Sequence, residues 1–418
     1  MNHRILNYVL IVSIAGFLMG FDTVVISGVN LPVKNMWQTS DWIHGTFIIS
    51  MTLWGMVVGA LTGGYPTEKL GRKQTLILVG LLFVFSALGA ASSSNPYSFS
   101  FFRFIGGLGA GFASIAAPTY ISEISEAHNR GRLVMLYQFN IVFGILLAYL
   151  SNYLLEGLPF ENTWRLMIGV EVLPASLFVS LLFCIPKSPR WFVNLKNKTD
   201  LIDQSDRSGL FSGKYNRALL LSFLMAFFNQ FSGISFILFY APEIFEKAGL
   251  GTSESLLSSI SLGIINLIFT FAGIYLIDRK GRKQLMYLGT IGYIISLSMV
   301  AIGFYMSFQT IYMVIFVLLF IASHAIGQGA VIWVFIPEIF PNSVRPFGQA
   351  WGAGLLNIFA ATIALLGAVI INSFPAWFVF SLFTFFMVLQ LIFVRYMMPE
   401  TKGIPLEEIE YFMRKQKN

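Results

Sequence analysis

The stretch Gly71-Arg72-Lys73-Gln74 returns as GRKQ at residues 281–284, which is 210 residues later and about half the length of the chain. Two further landmarks recur in the same order at similar distances: an acid seven residues before an arginine (Glu123/Arg130 and Glu338/Arg345) and a proline near the end of each half (Pro186 and Pro399). Each landmark follows an apolar segment. This pattern predicts a duplicated membrane unit in parallel orientation, which is an architecture of transporters.

Composition supports a membrane protein. Hydrophobic residues make up 56% of the chain and charged residues 11%, and the mean hydropathy is +0.73. The apolar runs are long and do not alternate with period two, so they predict helices and not a barrel. Interruptions by turns and charges give twelve predicted spans: 8–29, 44–64, 76–94, 100–121, 133–155, 164–185, 217–241, 258–277, 285–307, 311–336, 347–371 and 375–396. The predicted fold class is therefore an all-α membrane protein with twelve transmembrane helices in two six-helix halves.

The spans divide the chain into a first half, 1–190, a short polar linker, 191–216, and a second half, 217–418. The first apolar run lacks a small-residue cleavage site and is interpreted as span one, not as a signal peptide. After span twelve, about twenty residues remain, and a short amphipathic helix is expected after Pro405.

Charge distribution gives the expected orientation. Of 27 Lys and Arg residues, only Lys34, Arg165 and Lys247 fall in the alternate loops on one side of the membrane. The positive-inside rule then places both termini and both GRKQ turns in the cytoplasm. The net charge of +7 is thus a topology signal and does not indicate nucleic-acid binding.

The residue types that would support an enzyme are missing from the pattern. One cysteine, Cys184, can form no internal disulfide, and the four histidines are scattered, so no metal cluster is expected. The sequence shows no nucleophile–base pair and no phosphate-binding loop, and we expect no cofactor.

Eight segments follow one another along nearly the whole chain: GFDTVVISG, RFIGGLGAG, PTYISEISEAHNRGRL, PKSPRW, NQFSGISFILFYAPEIF, IDRKGRKQ, IPEIFPNSVR and PETKG. Together, and in this order, they resemble the sugar porter family of the major facilitator superfamily. The resemblance implies the major facilitator fold, a sugar substrate and alternating access. In this family, proton-coupled and facilitative members both occur.

Three ionisable residues, Asp22, Arg103 and Glu171, lie inside predicted spans at similar depth in the outer half of the membrane. An isolated charge there costs roughly 2.5–3.5 kcal/mol, so we expect the three to cluster. One interpretation is a static ion pair that fixes helix packing. The other is proton coupling, which the resemblance favours because proton-coupled sugar porters carry an Asp, an Arg and a Glu at the matching positions, whereas facilitative members typically lack the Asp.

A sugar site requires polar, uncharged side chains, and amides suit hydroxyl groups because they both donate and accept. The candidates on the predicted spans are Gln138, Ile145, Asn229, Gln230, Ser235, Asn266, Gly329, Trp333 and Asn357. Ile145 would add an apolar wall, and the indole of Trp333 offers a platform for a pyranose ring. Interhelical hydrogen bonding is the alternative role for each amide. The resemblance implies sugar contacts for Gln138, Gln230, Asn266 and Trp333.

Several positions depart from the family pattern. Asn229 and Ser235 stand where Gln and Asn are common, and Ala330 replaces the Pro that precedes the Trp of span ten. Leu356 and Asn357 occupy a place where an amide followed by Trp is usual. These changes leave the identity of the sugar open.

His324 lies nine residues before Trp333 in span ten. Its alternatives are a hydrogen-bonded packing residue or a role in the cavity or in proton coupling. Gly107 and Gly111 form a GxxxG pattern in span four that predicts close helix packing and no ligand.

Charged residues at the ends of spans form a predicted conformational switch: Glu68, Arg72, Glu123, Arg130, Asp278, Arg282, Glu338 and Arg345. Positive-inside topology alone would explain many of the cations, but it does not explain why the acids recur with them. The resemblance implies that these acids and arginines join the two halves in the outward-open state. Lys187 departs from the pattern, since the family has Glu between Pro and Ser.

The sequence therefore predicts a proton symporter for a monosaccharide or polyol in a bacterial-type inner membrane. Its expected partners are the sugar and membrane lipid, with no nucleic acid, and it is expected to function as a monomer. An uncoupled sugar facilitator and a transporter-like sugar sensor are the alternatives, and a tail of about twenty residues argues against the sensor.

Overall fold

The computed structural model describes residues 3–126, 130–188, 210–211, 213–341 and 344–403. Within these ranges the regular structure is entirely helical. The predicted linker, 191–216, lies mostly outside the described residues, and the predicted helix after Pro405 lies wholly outside them.

The part of the chain that the structure describes up to residue 188 contains nine α-helices and one π-helical turn, His44–Ile49. The α-helices are α1 (His3–Trp37), α2 (Asp41–Ile43), α3 (Met51–Thr62), α4 (Gly64–Lys69), α5 (Arg72–Ser92), α6 (Pro96–Ile124), α7 (Arg130–Glu156), α8 (Thr163–Gly169) and α9 (Val172–Leu182). The start of α6 illustrates how local sequence fixes a boundary. The Asn95 side-chain oxygen accepts hydrogen bonds from the backbone N–H groups of Tyr97 and Ser98, at 3.1 and 2.9 Å, and Pro96 occupies the first turn.

Nine further α-helices lie in the described residues from 213 onward. They are α10 (Asn216–Phe231), α11 (Ile234–Phe239), α12 (Ala241–Lys247), α13 (Thr252–Lys280), α14 (Arg282–Met306), α15 (Thr310–Ile326), α16 (Gln328–Glu338), α17 (Arg345–Ser373) and α18 (Ala376–Tyr396).

The described residues contain eleven helical segments long and apolar enough to span a membrane. A twelfth arises when Asp41–Ile49 and Met51–Thr62 are taken as one span bent by 41°. The predicted twelve-span, all-α membrane fold is confirmed.

Several predicted spans contain breaks that hydropathy does not reveal. Span two carries the π-helical turn, span six is interrupted at Glu171, and span ten is interrupted at Gly327. Span seven is interrupted at Gly233, whose φ of 88° is the left-handed conformation that glycine adopts without strain. Such breaks free backbone polar groups at membrane depth, which is tolerated where protein or water satisfies them.

Contacts group the chain into two compact units that do not follow chain order strictly. Unit 1 comprises the described residues of Met1–Asp200 together with Leu238–Gly263 and Ala364–Val369. Unit 2 comprises those of Leu201–Ile237, Ile264–Ile363 and Ile370–Asn418. The division into halves at 190 and 217 remains a prediction about chain organisation.

Close helix packing in unit 1 depends on glycine. A Cβ at Gly107 of α6 would lie 1.9 Å from the Thr52 carbonyl oxygen of α3, and one at Gly111 would lie 2.6 Å from the Ala60 nitrogen. No side chain fits at either distance, so the GxxxG pattern of span four brings two backbones together. The predicted packing role of these glycines is confirmed.

Candidate functional site

Asp22 and Arg103 form a buried ion pair in unit 1. The Arg103 Nη1 group donates to Asp22 Oδ1, and Nη2 donates to the Asp22 backbone carbonyl at 2.7 Å. Both side chains are at most 1% exposed. A single guanidinium therefore holds both the side chain and the backbone of α1 at this level.

Glu171 lies beside this pair, at the interruption between α8 and α9. Its side chain is 1% exposed, and its carboxyl group lies close enough to that of Asp22 to share a hydrogen bond when one of them carries a proton. The structure thus brings the three predicted residues Asp22, Arg103 and Glu171 together.

The cluster is short of hydrogen-bond donors. Among the described residues, Asp22 Oδ2 and both Glu171 side-chain oxygens have no donor, although all three are buried. Two carboxyl groups face one guanidinium, so full ionisation would leave a net negative charge. A proton on either carboxyl would neutralise the cluster and supply the missing donor.

The predicted sugar-binding residues of span seven interact with one another in unit 2. Gln230 Nε2 donates to Asn229 Oδ1 at 2.9 Å, and Ser235 Oγ donates to Gln230 Oε1 at 2.6 Å. All three side chains are between 5% and 8% exposed. Because the break at Gly233 separates Ser235 from the other two, this chain of hydrogen bonds crosses the interrupted helix.

The other sugar-site candidates differ in exposure. In unit 2, Asn266 is 7% exposed, Trp333 is 46% exposed, and Gly329 and Asn357 are half-buried. Trp333 is therefore the most exposed of the predicted sugar-site residues. The last two candidates belong to unit 1, on α7, where Gln138 is half-buried and Ile145 is buried.

His324 is part of a buried polar chain in unit 2. Its Nδ1 lies 2.6 Å from the Tyr293 hydroxyl, which also lies 3.3 Å from Gln328 Oε1. Gln328 Nε2 donates to Gln390 Oε1 at 2.9 Å, and Gln390 Nε2 donates to Thr290 Oγ1 at 2.8 Å. The chain links α14, α15, α16 and α18 at the level where span ten is interrupted.

The first GRKQ turn forms an ion-paired cluster, which we call the first corner and define as Arg72, Glu123 and Ser188. Arg72 Nε and Nη2 both contact Glu123 Oε1, at 3.0 and 2.9 Å, and Nη1 donates to the Thr67 carbonyl at 3.2 Å. The Ser188 hydroxyl donates to Glu123 Oε2. All of these residues belong to unit 1.

The second GRKQ turn forms the second corner, defined as Arg282, Glu338 and Thr401. Arg282 Nε donates to Glu338 Oε2 at 2.9 Å, and Nη2 donates to Oε1. The Thr401 hydroxyl donates to Glu338 Oε2 at 2.7 Å. Thr401 follows Ser188 by 213 residues, the same distance that separates the two prolines, so the repeat extends to the hydroxyl donor.

The remaining switch candidates lie in other environments. Glu68 and Asp278 are exposed on the last turns of α4 and α13. Arg345 Nε donates to the carbonyls of Pro337 and Phe340, at 3.0 and 3.2 Å, and so ties the start of α17 to the chain that leads into it. Arg130 begins α7, and its side chain lies outside the described part of the structure.

Two groups of polar residues were missed by sequence reasoning. One is Asn30, His44 and Glu243, which meet in unit 1. Asn30 and Glu243 are 213 residues apart in the sequence, and neither Asn30 nor His44 lies in one of the family segments quoted above. The other is the pair of corner hydroxyls, Ser188 and Thr401. Their constant spacing was available as a signal, since it equals that of Pro186 and Pro399.

A sequence profile of the family described as "Sugar (and other) transporter" matches residues 8–201 and 194–412. The chain belongs to the sugar porter family of the major facilitator superfamily. The predicted family is confirmed, and as a member of it the chain is an integral membrane protein.

Named relatives of this sugar porter match over almost their full length. The glucose transporter GlcP of Staphylococcus epidermidis is 33% identical over 97% of this chain and 96% of its own. The D-xylose-proton symporter of Escherichia coli is 32% identical, covering 97% and 95%. The arabinose-proton symporter of Bacillus subtilis is 31% identical, also covering 97% and 95%.

Solved structures agree with the fold. The inward-open conformation of the xylose transporter from Escherichia coli superposes with a TM-score of 0.86 at 30% identity, covering 98% of this chain and 99% of that one. A crystal structure of D-xylose-proton symporter gives a TM-score of 0.84 at 31% identity, covering 96% and 99%.

Proposed function

We propose that this sugar porter imports a monosaccharide or polyol together with a proton by alternating access across a bacterial inner membrane, with both termini in the cytoplasm. The observation that carries the proposal is the pairing of Asp22 with Arg103 beside Glu171, in which buried carboxyl oxygens lack donors. Relatives named as sugar–proton symporters support the same activity.

The cluster offers a physical route to coupling. When Asp22 takes a proton from the outside, its attraction for Arg103 falls, and the guanidinium becomes available to Glu171. No unpaired cation is then left in the membrane. Release of the proton towards the inside restores the original pair. The proton gradient thereby biases two conformations, which is all that coupling requires.

The sugar is expected to contact the amides of Gln138, Gln230 and Asn266 and the ring of Trp333. The exposure of Trp333, at 46%, supports a stacking role because an uncovered aromatic ring can receive an apolar sugar face. Trp333→Ala should weaken binding by roughly 1–3 kcal/mol, the scale of burying one large side chain. Unchanged affinity in a folded variant, measured by titration of the purified protein, would remove Trp333 from the site.

Uptake of a panel of labelled sugars into proteoliposomes, with and without an imposed pH gradient, tests the function as a whole. A transported sugar that accumulates only when the outside is acidic is the expected result. Uptake that equilibrates without accumulating, whatever the gradient, would identify an uncoupled facilitator instead.

Asp22→Asn tests the coupling residue. It mimics the protonated acid, so it should abolish accumulation while sparing sugar binding and exchange between the two sides. Accumulation that survives in Asp22→Asn would assign coupling to another acid. Arg103→Lys serves as the matched control, because it keeps the charge and loses the fork that reaches the Asp22 backbone.

A further inference from the structure

Asn30, near the end of α1, bridges a histidine and a carboxyl group from two other elements. Its Nδ2 donates to Glu243 Oε1 of α12, and its Oδ1 accepts from Nε2 of His44 in the π-helical turn. The second ring nitrogen of His44 lies 3.0 Å from the Thr39 hydroxyl. The three linked side chains are 2%, 1% and 8% exposed for Asn30, His44 and Glu243. We call this group the outer cluster.

The outer cluster joins residues from both halves of the sequence within unit 1. The neighbouring backbones are also close, since a Cβ at Gly45 would lie 2.1 Å from the Leu365 carbonyl oxygen and 3.3 Å from the Ala368 Cβ. Both sets of contacts lie at the ends of the spans opposite the GRKQ turns, which the positive-inside rule assigns to the outer side. Alternating access requires this contact to open when the carrier faces outward.

The directions of the hydrogen bonds identify which groups can change charge. Because Asn30 Oδ1 can only accept, His44 Nε2 carries a proton. The Thr39 hydroxyl can donate to Nδ1 or accept from it, so a neutral ring satisfies both contacts, and the burial of His44 favours that neutral form. Glu243 can change its charge. One carboxyl oxygen accepts from Asn30 Nδ2, and the other can gain or lose a proton without breaking that hydrogen bond.

The charges around Glu243 compensate it poorly. Lys34 of α1 is paired with Asp41, and the ion pairs of the described residues do not include Glu243. On its own helix Glu243 faces Glu246 and Lys247, and Tyr240 precedes that helix. Burial raises the pKa of Glu243 to about 8, against the opposing influence of Lys34 and Lys247.

We propose that Glu243 is a second proton-binding site of this sugar porter, separate from Asp22, and that the outer contact closes with a proton on Glu243 and opens with its loss. The proposal rests on the alternating access proposed above. When the contact opens, Glu243 meets water and its pKa returns towards its ordinary value of 4.5. The closed form therefore binds the extra proton between about pH 4.5 and 8. Closure is favoured at low pH and is lost as the pH rises through about 8.

Cysteine labelling tests this in the full-length protein without any sugar. In a Cys184→Ser background, Ala368→Cys places a thiol in the outer contact, and Ser94→Cys places one in the exposed loop between α5 and α6. A membrane-impermeant maleimide is added from outside, and the Ala368→Cys rate is divided by the Ser94→Cys rate at each pH. The ratio removes the pH dependence that the two thiols share, and comparison with Glu243→Gln removes any that is peculiar to the buried thiol.

The ratio should rise severalfold between about pH 6 and pH 9. In Glu243→Gln, which mimics the protonated acid, the labelling ratio should stay low at every pH. Asn30→Asp is a second variant of matched shape. It places a like charge beside Glu243 and should move the midpoint to higher pH.

A pH response that persists in Glu243→Gln would overturn the proposal. So would a ratio that falls as the pH rises. The outcome is separable from the transport assay. Loss of proton-driven uptake with an unchanged labelling response would count against symport alone.

Discussion

The first and second corners are built from the same parts but differ in how the parts are used. In the first corner, Arg72 places two nitrogens on a single oxygen of Glu123. In the second, Arg282 spreads its fork over both oxygens of Glu338. A fork that contacts both oxygens is the stronger geometry. Duplication has thus preserved the ion pair while its detailed geometry diverged.

The larger difference lies one residue before the hydroxyl donor. In the second corner Glu400 accepts from the backbone N–H groups of Arg282 and Lys283, at 3.0 and 2.9 Å. N–H groups in the first turn of α14 have no acceptor within the helix, so Glu400 satisfies them. Its negative charge is also stabilised by the positive end of the helix dipole. The first corner has an exposed lysine, Lys187, at this place, and its ammonium group cannot accept a hydrogen bond from the helix N–H groups. The comparison shows that the helix cap can be lost while the ion pair is kept.

The largest expected effect is a difference in stability between variants of the two corner arginines, Arg282 and Arg72. Arg282→Ala should destabilise the protein by about 1.5–3 kcal/mol, the range for hydrogen bonds to charged groups, and Arg72→Ala should cost less. Thermal unfolding of both variants in detergent measures the difference, with Arg282→Lys and Arg72→Lys as charge-retaining controls. Equal losses in the two alanine variants would show that the fork geometry does not matter here.

A smaller effect isolates the cap. Glu400→Gln keeps an oxygen near the N–H groups but removes the charge, so stability should fall by about 1 kcal/mol. The loss should shrink at high salt, because the charge is near the surface. A loss that is independent of salt would assign the effect to hydrogen bonding and not to the dipole.

The smallest effect has the opposite sign. Lys187→Glu should restore to the first corner the carboxylate that the second corner has, and raise stability by about 0.3–1 kcal/mol. Lys187→Gln is the matched control, since it removes the cation without adding a charge. A gain equal in both variants would mean that losing the lysine, and not forming a cap, is responsible.

The sequence was sufficient for the fold because the governing signals are long and repeated. Apolar runs fixed the spans, and the buried charges of Asp22, Arg103 and Glu171 had to meet because isolated charges are costly in a membrane. The corner arginines were found from their recurrence. Their partners Glu123 and Glu338 were also named, but from their spacing to Arg130 and Arg345. In the structure these two acids pair instead with Arg72 and Arg282.

Other features could not be read from one sequence. Hydropathy does not reveal the helix breaks at Glu171, Gly233 and Gly327, because the residues around these breaks remain apolar. The outer cluster was missed because Asn30 and Glu243 are 213 residues apart and an amide carries no charge that demands a partner. The roles assigned to the sugar-site amides stay predictions.

The single residue Gly281 that separates α13 from α14 has a mechanical consequence. Its φ of 89° turns the chain in one step, and the two peptide units across it span at most about 7 Å. The joined ends therefore have almost no slack, and neither helix can slide along the other. Their far ends can separate, so relative motion between the two helices is a change of tilt about this point. Any movement of the carrier that displaces the end of α13 must displace the start of α14 with it.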